Sequence, residues 1–139
     1  MTDRLEFINP TDWLPARGYS NGVLVNGPTL YVAGQIGWNE QQQFETDDLG
    51  EQLAKALDNV LAVVRAAGGV PSDVVKMTIY VTDLEAYRAS TRAIGAAWRA
   101  RFGKHYPAMA LVAVSGLLEP RAKVEIETIA AVGHKEPAG

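Results

Sequence analysis

The sequence predicts an α+β protein in which two helices cover one face of a single mixed β-sheet. Five segments have the alternating or continuous apolar character of strands, and two longer segments repeat apolar residues at spacings of three and four. The predicted order is β-β-α-β-α-β-β, and the pattern also allows a short strand at residues 6–8. Because helices that connect strands of one sheet pack on its surface, both helices are expected on the same face.

The first two predicted strands, residues 22–25 and 29–33, flank Asn26-Gly27-Pro28. Asn-Gly between apolar runs is a strong hairpin signal, so these strands are predicted to pair with each other. The next strand, residues 74–82, alternates apolar and polar side chains and should bury one face.

The first helix is predicted over residues 49–67. Asp48 with Glu51 resembles a capping box at its start, and Gly68-Gly69 ends it. Its apolar stripe consists of Leu49, Leu53, Leu57, Val60, Leu61 and Val64.

The second helix is predicted over residues 84–102. Thr82 with Glu85 is expected to cap its start, and Gly103 is expected to end it. Its apolar stripe consists of Leu84, Tyr87, Ile94 and Trp98.

Two last strands are predicted over residues 108–114 and 122–130. The strand at residues 108–114 is apolar at both parities, so both of its faces should be buried. Since two helices can cover only one side of the sheet, the other side is expected to pack against another subunit. Oligomerisation is therefore a prediction from the residue pattern alone.

Composition limits the classes of function. A length of 139 residues predicts one domain, residues 1–133, followed by a disordered tail, residues 134–139. The chain has no cysteine, no histidine or carboxylate spacing typical of a metal site, and no apolar run that could span a bilayer, so neither a metal nor a cofactor is expected. A net charge of −3 with interspersed signs disfavours nucleic acid and membrane partners, and a cytoplasmic location is expected.

Three places could carry chemistry. Glu125 and Glu127 share one face of the last strand, ~7 Å apart, and a partly desolvated carboxylate there could shuttle a proton. The alternative, in which both face water or pair with a neighbouring cation, stays open. Tyr19 lies in a glycine-flanked loop and could contact a ligand or cover the edge of the core. Gly34-Gln35 follows a buried strand, where glycine permits close approach of a ligand or of a neighbouring chain.

Several segments resemble the Rid/YjgF family, and the resemblance runs from residue 19 to residue 129. The segments that carry it are Tyr31-Val32-Ala33-Gly34-Gln35-Ile36, Leu57-Asp58-Asn59-Val60, Ala66-Ala67-Gly68-Gly69, Tyr80-Val81-Thr82-Asp83-Leu84, Tyr106-Pro107-Ala108 and Val124-Glu125-Ile126-Glu127-Thr128-Ile129-Ala130. The resemblance implies a chorismate-mutase-like fold and a homotrimer with a central barrel. It also implies small-molecule clefts between the subunits.

Deaminating members of the family hydrolyse reactive enamines and imines to a keto acid and ammonia. An arginine grips the substrate carboxylate, and a glutamate on the last strand handles the water. The resemblance carries the catalytic role to Glu125 and the lining of the cleft to Tyr19, Gly34 and Gln35.

The chain departs from the family pattern at four cleft positions. Met109 stands where the arginine is usual, and Leu111 stands where a cysteine or similar residue is usual. Ala33 replaces a frequent serine, and Thr91 replaces a frequent asparagine. The cleft is therefore expected to be more apolar, and Arg17 is a candidate for supplying the displaced positive charge.

Two functions follow from this pattern. The first is a hydrolytic deaminase of an enamine or imine that differs from the small 2-imino acids. The alternative is a non-catalytic trimer that binds a small molecule, or acts in regulation, through the same cleft. A ribonuclease is disfavoured, because the acidic balance leaves no basic strip interleaved with aromatic residues.

Overall fold

The computed structural model describes residues 4–132 of the chain. Its strands are β1 (Leu5–Ile8), β2 (Gly22–Val25), β3 (Thr29–Ile36), β4 (Val74–Val81), β5 (Ala108–Ala113) and β6 (Val124–Ala131). Its α-helices are α1 (Leu49–Ala66), α2 (Leu84–Ala89) and α3 (Thr91–Phe102), and a short 3-10 helix (Pro71–Asp73) precedes β4. The tail predicted at residues 134–139 lies outside the described residues.

The main sheet has the strand order β3-β6-β4-β5. β6 is antiparallel to both of its neighbours, whereas β4 and β5 are parallel. A parallel pair needs a long crossover, and here α2 and α3 supply it. The predicted α+β class with a mixed sheet is confirmed.

The buried core lies between the helices and one face of this sheet. The stripe of α1 is fully buried, with Leu53, Leu57, Val60 and Val64 each at most 1% exposed. It packs against alternate strand residues, which include Val32, Met77, Ile79, Val124 and Ile126. On the opposite face Tyr31 is 75% exposed and Val112 43% exposed, so a single chain leaves this face uncovered.

The predicted hairpin between the first two strands does not form. β2 pairs instead with β1, with Leu5 opposite Val25, and β3 pairs with β6. Pro28 explains the difference, because it follows Asn-Gly directly and has no N–H for a hairpin ladder. Its carbonyl accepts a hydrogen bond from Val132 N (3.2 Å), which directs β3 alongside β6.

The second predicted helix is divided in two, and its cap was predicted at the wrong residue. Ser90 interrupts the helix with φ −106° and ψ 9°. Its Oγ donates to the carbonyl of Ala86 (2.8 Å), a local bond that competes with helical geometry. The cap is Asp83, which accepts from Ala86 N, whereas Thr82 directly follows β4 and donates its N–H to Lys123 O.

A buried glutamine on α1 fixes where β6 begins. Gln52 is fully buried, and its Nε2 donates to the carbonyls of Thr46 and Arg121, both at 3.0 Å. Its Oε1 accepts from Lys123 N at 2.8 Å. The amide therefore satisfies three backbone groups and ties α1 to the segment that leads to Glu125.

Replacing Gln52 with leucine should lower the free energy of unfolding by about 2–4 kcal/mol, because three backbone groups lose their partner in a buried place. Urea denaturation measures the change. The control is Gln41→Leu at an exposed position, where a change within about 0.5 kcal/mol is expected. Equal denaturation midpoints for the two variants would contradict this role of Gln52.

Candidate functional site

Glu125 lies on the face of the sheet that the helices leave open. It stands opposite Tyr80 of β4 and Ile36 of β3. Its neighbours Val124 and Ile126 are fully buried in the core, so the two-residue period of a strand directs Glu125 the other way. The carboxylate is half-buried.

Gly34 makes room for this carboxylate. The pairing of β3 with β6 is irregular between Val32 and Gln35, and Gly34 lies in that irregularity. A Cβ atom on Gly34 would collide with Glu125 Oε2 and would stand 2.8 Å from its Cδ. Ala33 is exposed beside it, and Gln35 uses its Nε2 to donate to Ala33 O at 3.2 Å.

Tyr80 lies between the two carboxylates of β6. Its hydroxyl donates to Glu127 Oε1 at 3.2 Å. That hydrogen bond raises the pKa of Tyr80 above 10.0, and desolvation and the negative charges of Glu127 and Glu125 add to the shift. Tyr80 is therefore a protonated donor beside Glu125 at neutral pH.

The helix side of the sheet holds a separate cavity of about 260 Å³, which lies between α2, α3 and the free edge of β5. Met109 and Thr91 both line this cavity, and Gly18 reaches it from the loop that carries Tyr19. Leu111 lies two residues beyond Met109 and packs against the core outside the cavity lining.

The loop residues Arg17 and Tyr19 lie near the start of β5. Tyr19 is 42% exposed and lines an open cleft of about 500 Å³ with Lys76, Ala108 and Met109. Ser20 holds this loop in place, because its N–H donates to Pro107 O at 2.9 Å and its Oγ to Tyr106 O at 2.6 Å. Arg17 is exposed and lines neither space.

One chain divides the predicted site residues into two groups. Glu125 stands opposite Tyr80, whereas Met109 stands opposite the buried Met77 at the other parity, so the two side chains leave opposite faces of the sheet. Tyr19 also lies about four residues, or roughly 13 Å, along the strands from Glu125. Glu125 therefore contacts Gly34 on one face of the sheet, and Thr91 and Met109 line one cavity on the other face. Within a single chain the two groups are separated by the sheet.

Sequence reasoning missed a cation in the cavity. Among the described residues that line it, Arg99 of α3 is the one with a charged side chain. Tyr87 also lines the cavity, and burial raises the pKa of its hydroxyl above 10.0. A signal was present, because Thr91, Gly95 and Arg99 recur at a spacing of four and so share one helix face.

Two kinds of feature are absent from the described part of the chain. Within residues 4–132, no cluster of three or more histidine, aspartate or glutamate side chains is placed to hold a metal ion. Over the same residues, no helix has the length and apolar character needed to cross a membrane.

Comparison with known proteins identifies the family. The profile of the family described as Endoribonuclease L-PSP matches residues 11–132. A 2-iminobutanoate/2-iminopropanoate deaminase from Dermatophagoides farinae is 34% identical over 119 residues, which are 85% of this chain and 88% of that protein. A protein of the same name from Escherichia coli K12 is 36% identical over 107 residues, 75% of this chain and 80% of that protein.

A solved structure of similar fold belongs to the same family. It is a protein of unknown function of the conserved Rid protein family, YyfB from Yersinia pestis. The two folds superpose with a TM-score of 0.83 at 33% identity, over 93% of this chain and 99% of that one. The fold and the segments around Gly34 and Glu125 define a Rid-type α+β protein. The chain belongs to the Rid/YjgF family, as its sequence predicted.

Glu127→Gln should lower the pKa of Tyr80 towards 10.0, because it removes the charged acceptor that contributes most to the shift. The tyrosinate absorbance followed against pH measures this, with Tyr80→Phe identifying the signal. Glu125→Gln is the matched comparison and should have a smaller effect, since its charge is the weakest of the causes. A titration curve unchanged by Glu127→Gln would refute the hydrogen bond as the cause.

Proposed function

We propose that the protein is a hydrolytic deaminase of a reactive enamine or imine, with Glu125 as its catalytic residue. The observation that carries the proposal is a half-buried glutamate on the open face of the sheet, whose carboxylate packs directly against Gly34 because that residue has no side chain. Two relatives named as 2-iminobutanoate/2-iminopropanoate deaminases, at 34% and 36% identity, support the same reaction.

The chemistry needs one group that accepts and returns a proton. Glu125 takes a proton from water as the water oxygen attacks the carbon of the C=N bond. The same carboxyl group then protonates the nitrogen, which gives a carbinolamine. In the second stage the carboxylate takes the hydroxyl proton and passes it to the amine nitrogen, so that the C=O bond forms as the C–N bond breaks and ammonia leaves. A carboxylate within one water of the substrate can do both steps. The Tyr80 hydroxyl donates its proton to Glu127, so its oxygen is left to accept a hydrogen bond from the water or from the protonated Glu125.

A complete site requires a second chain in this proposal. Glu125 and the cavity of Met109 open on opposite faces of one sheet, so the cavity of one chain can meet the Glu125 of another only across an interface. The exposed Tyr31 and Val112 on the open face favour such an interface, since exposed apolar patches mark association surfaces. The number of three subunits follows from the family resemblance.

Substrate size and polarity follow from the residues around the cavity. Met109 and Thr91 present apolar and small polar groups to the cavity where deaminating relatives are expected to be more polar, and Leu111 packs against the core behind it. Tyr19, Ala33 and Gln35 would orient the polar end of the substrate at the cleft. We infer a substrate with a larger apolar body than the small 2-imino acids. The cytoplasmic location stays a prediction.

A second function, non-catalytic binding of a small molecule, is favoured by one observation. Met109 faces a cavity of about 260 Å³ that could hold a ligand without any contribution from Glu125. A ribonuclease has less support, because the net charge of −3 does not favour binding to phosphates.

The test is ammonia release from imines that an amino-acid oxidase generates from alanine, leucine and phenylalanine. We expect the protein to accelerate hydrolysis of the larger imines most. Glu125→Gln should lower kcat by about 10²–10⁴-fold, the usual contribution of a general acid–base group. Glu45→Gln, at an exposed position in the loop before α1, is the control and should stay close to wild type.

Two results would overturn the deaminase. No acceleration over the spontaneous rate for any imine would leave the binding function. Equal kcat for Glu125→Gln and the wild type would remove Glu125 from the reaction.

Gly34→Ala should lower kcat while leaving the fold intact. The new Cβ displaces the Glu125 carboxylate, and because this is the end of a flexible side chain, the loss of stability should be only about 1 kcal/mol. Gly116→Ala is the control, since a Cβ there meets no atom within 4 Å. Ammonia release and thermal unfolding on the same samples separate the two effects. Wild-type kcat in Gly34→Ala would show that the position of the Glu125 carboxylate against Gly34 does not matter for the reaction.

A further inference from the structure

We propose that the cavity between α2, α3 and β5 binds a carboxylate carried on an apolar body, and that Arg99 is the residue that pairs with the carboxylate. The chemical class is a branched aliphatic or aromatic 2-imino acid, or the 2-oxo acid formed from it. This inference rests on the proposed function, because it names how the cavity beside Met109 would hold the substrate of the proposed deaminase.

Trp98 forms the apolar wall of the cavity, and contacts on several sides fix its position. Trp98 stacks on Phe102 at 4.2 Å between ring centroids, and its plane is within 8° of that of Tyr106 at 6.4 Å. Its Nε1 donates to His105 O at 3.2 Å, which fixes the ring. The volume of about 260 Å³ is below the roughly 300–1,000 Å³ typical of drug-sized ligands, so it suits a small metabolite.

The helix directs the Arg99 side chain along the cavity. Side chains on a helix lean towards its N-terminus, so Arg99 lies back over Gly95, four residues earlier. A Cβ on Gly95 would stand 3.2 Å from Arg99 Nη1, which shows how closely the guanidinium approaches that backbone. Gly95 therefore provides the surface on which the guanidinium rests, and Thr91 continues the same face.

The charge of Arg99 is available for a ligand. Two nearby arginines already pair with carboxylates: Arg101 with Asp58 at 2.7 Å, and Arg88 with Glu85 at 2.6 Å. Among residues 4–132 no carboxylate forms an ion pair with Arg99, and the described lining contains no acidic residue. An arginine fork matches a carboxylate with two parallel hydrogen bonds, so a carboxylate is the ligand group that this site favours.

The position of Arg99 also specifies where the ligand lies. Met109 places a thioether on the strand side of the cavity, and Arg99 places the cation on the helix side. The carboxylate should therefore lie against α3, with the apolar body between Met109 and Trp98. Arg17, the candidate chosen from the sequence, lines neither cleft and does not share this geometry.

The test is calorimetric titration of the whole protein with phenylacetate and with its uncharged counterpart, phenylacetamide. We expect the wild type to bind the acid more tightly. Arg99→Gln should weaken binding of the acid by about 10- to 100-fold, the effect of losing a charge-assisted pair, and should change binding of the amide little. Arg92→Gln is the matched control, on the same helix and outside the cavity lining.

Arg99→Lys keeps the charge but removes the planar fork, so its affinity for the acid should fall between those of the wild type and Arg99→Gln. Equal binding of acid and amide by the wild type, no binding of either, or equal losses in Arg99→Gln and Arg92→Gln would each overturn the proposal.

Ammonia release from the phenylalanine imine separates this proposal from the deaminase. If Arg99→Gln loses binding of the acid but not of the amide, and the wild type does not turn over the imine, the carboxylate site is supported and the deaminase is contradicted. If the wild type turns over the imine and Arg99→Gln has the same KM, the deaminase is supported and the role of Arg99 in substrate binding is contradicted.

Discussion

The pairing of β6 on both of its edges is the constraint on which the rest of the structure depends. Because β3 and β4 both hydrogen-bond to β6, its register cannot change without breaking two ladders. Val124 and Ile126 enter the core, so Glu125 must leave on the other face. A slip by one residue would place its carboxylate in the apolar core, at a large cost in free energy. Gln52 fixes the start of the strand through its three hydrogen bonds.

The same sheet separates the proposed acid–base residue from the proposed substrate cavity. The open face offers Glu125, whose carboxylate packs against Gly34, and the hydroxyl of Tyr80 lies beside it. The helix face offers an apolar cavity with one cation, Arg99. A thin sheet with two different faces can serve one reaction only if two chains meet, which links the proposed catalysis to the proposed assembly.

Moving the cation from a strand to a helix would change which substrates fit. An arginine on β5 at the position of Met109 would take up the wall that now contacts the apolar part of a ligand. With methionine on β5 and arginine on α3, the proposed binding mode would place the carboxylate and the apolar body on different sides of the cavity. Binding and turnover then depend on different residues, so a protein that had lost catalysis would still retain the carboxylate site.

The amino-acid sequence by itself determined the features that depend on neighbours a few residues apart. These include the stripe and the Asp48 cap of α1, the alternation of β6 that turns Glu125 outwards, and the family membership. The tertiary structure decided what depends on distant residues. Pro28 sends β3 to β6 instead of β2, and Ser90 divides the second helix through a bond to Ala86. Arg99 could not be identified from spacing alone, because only the packing of α3 beside β5 brings it to the cavity of Met109. Periodicity records local geometry, whereas the walls of a cavity come from segments that meet only when the chain has folded.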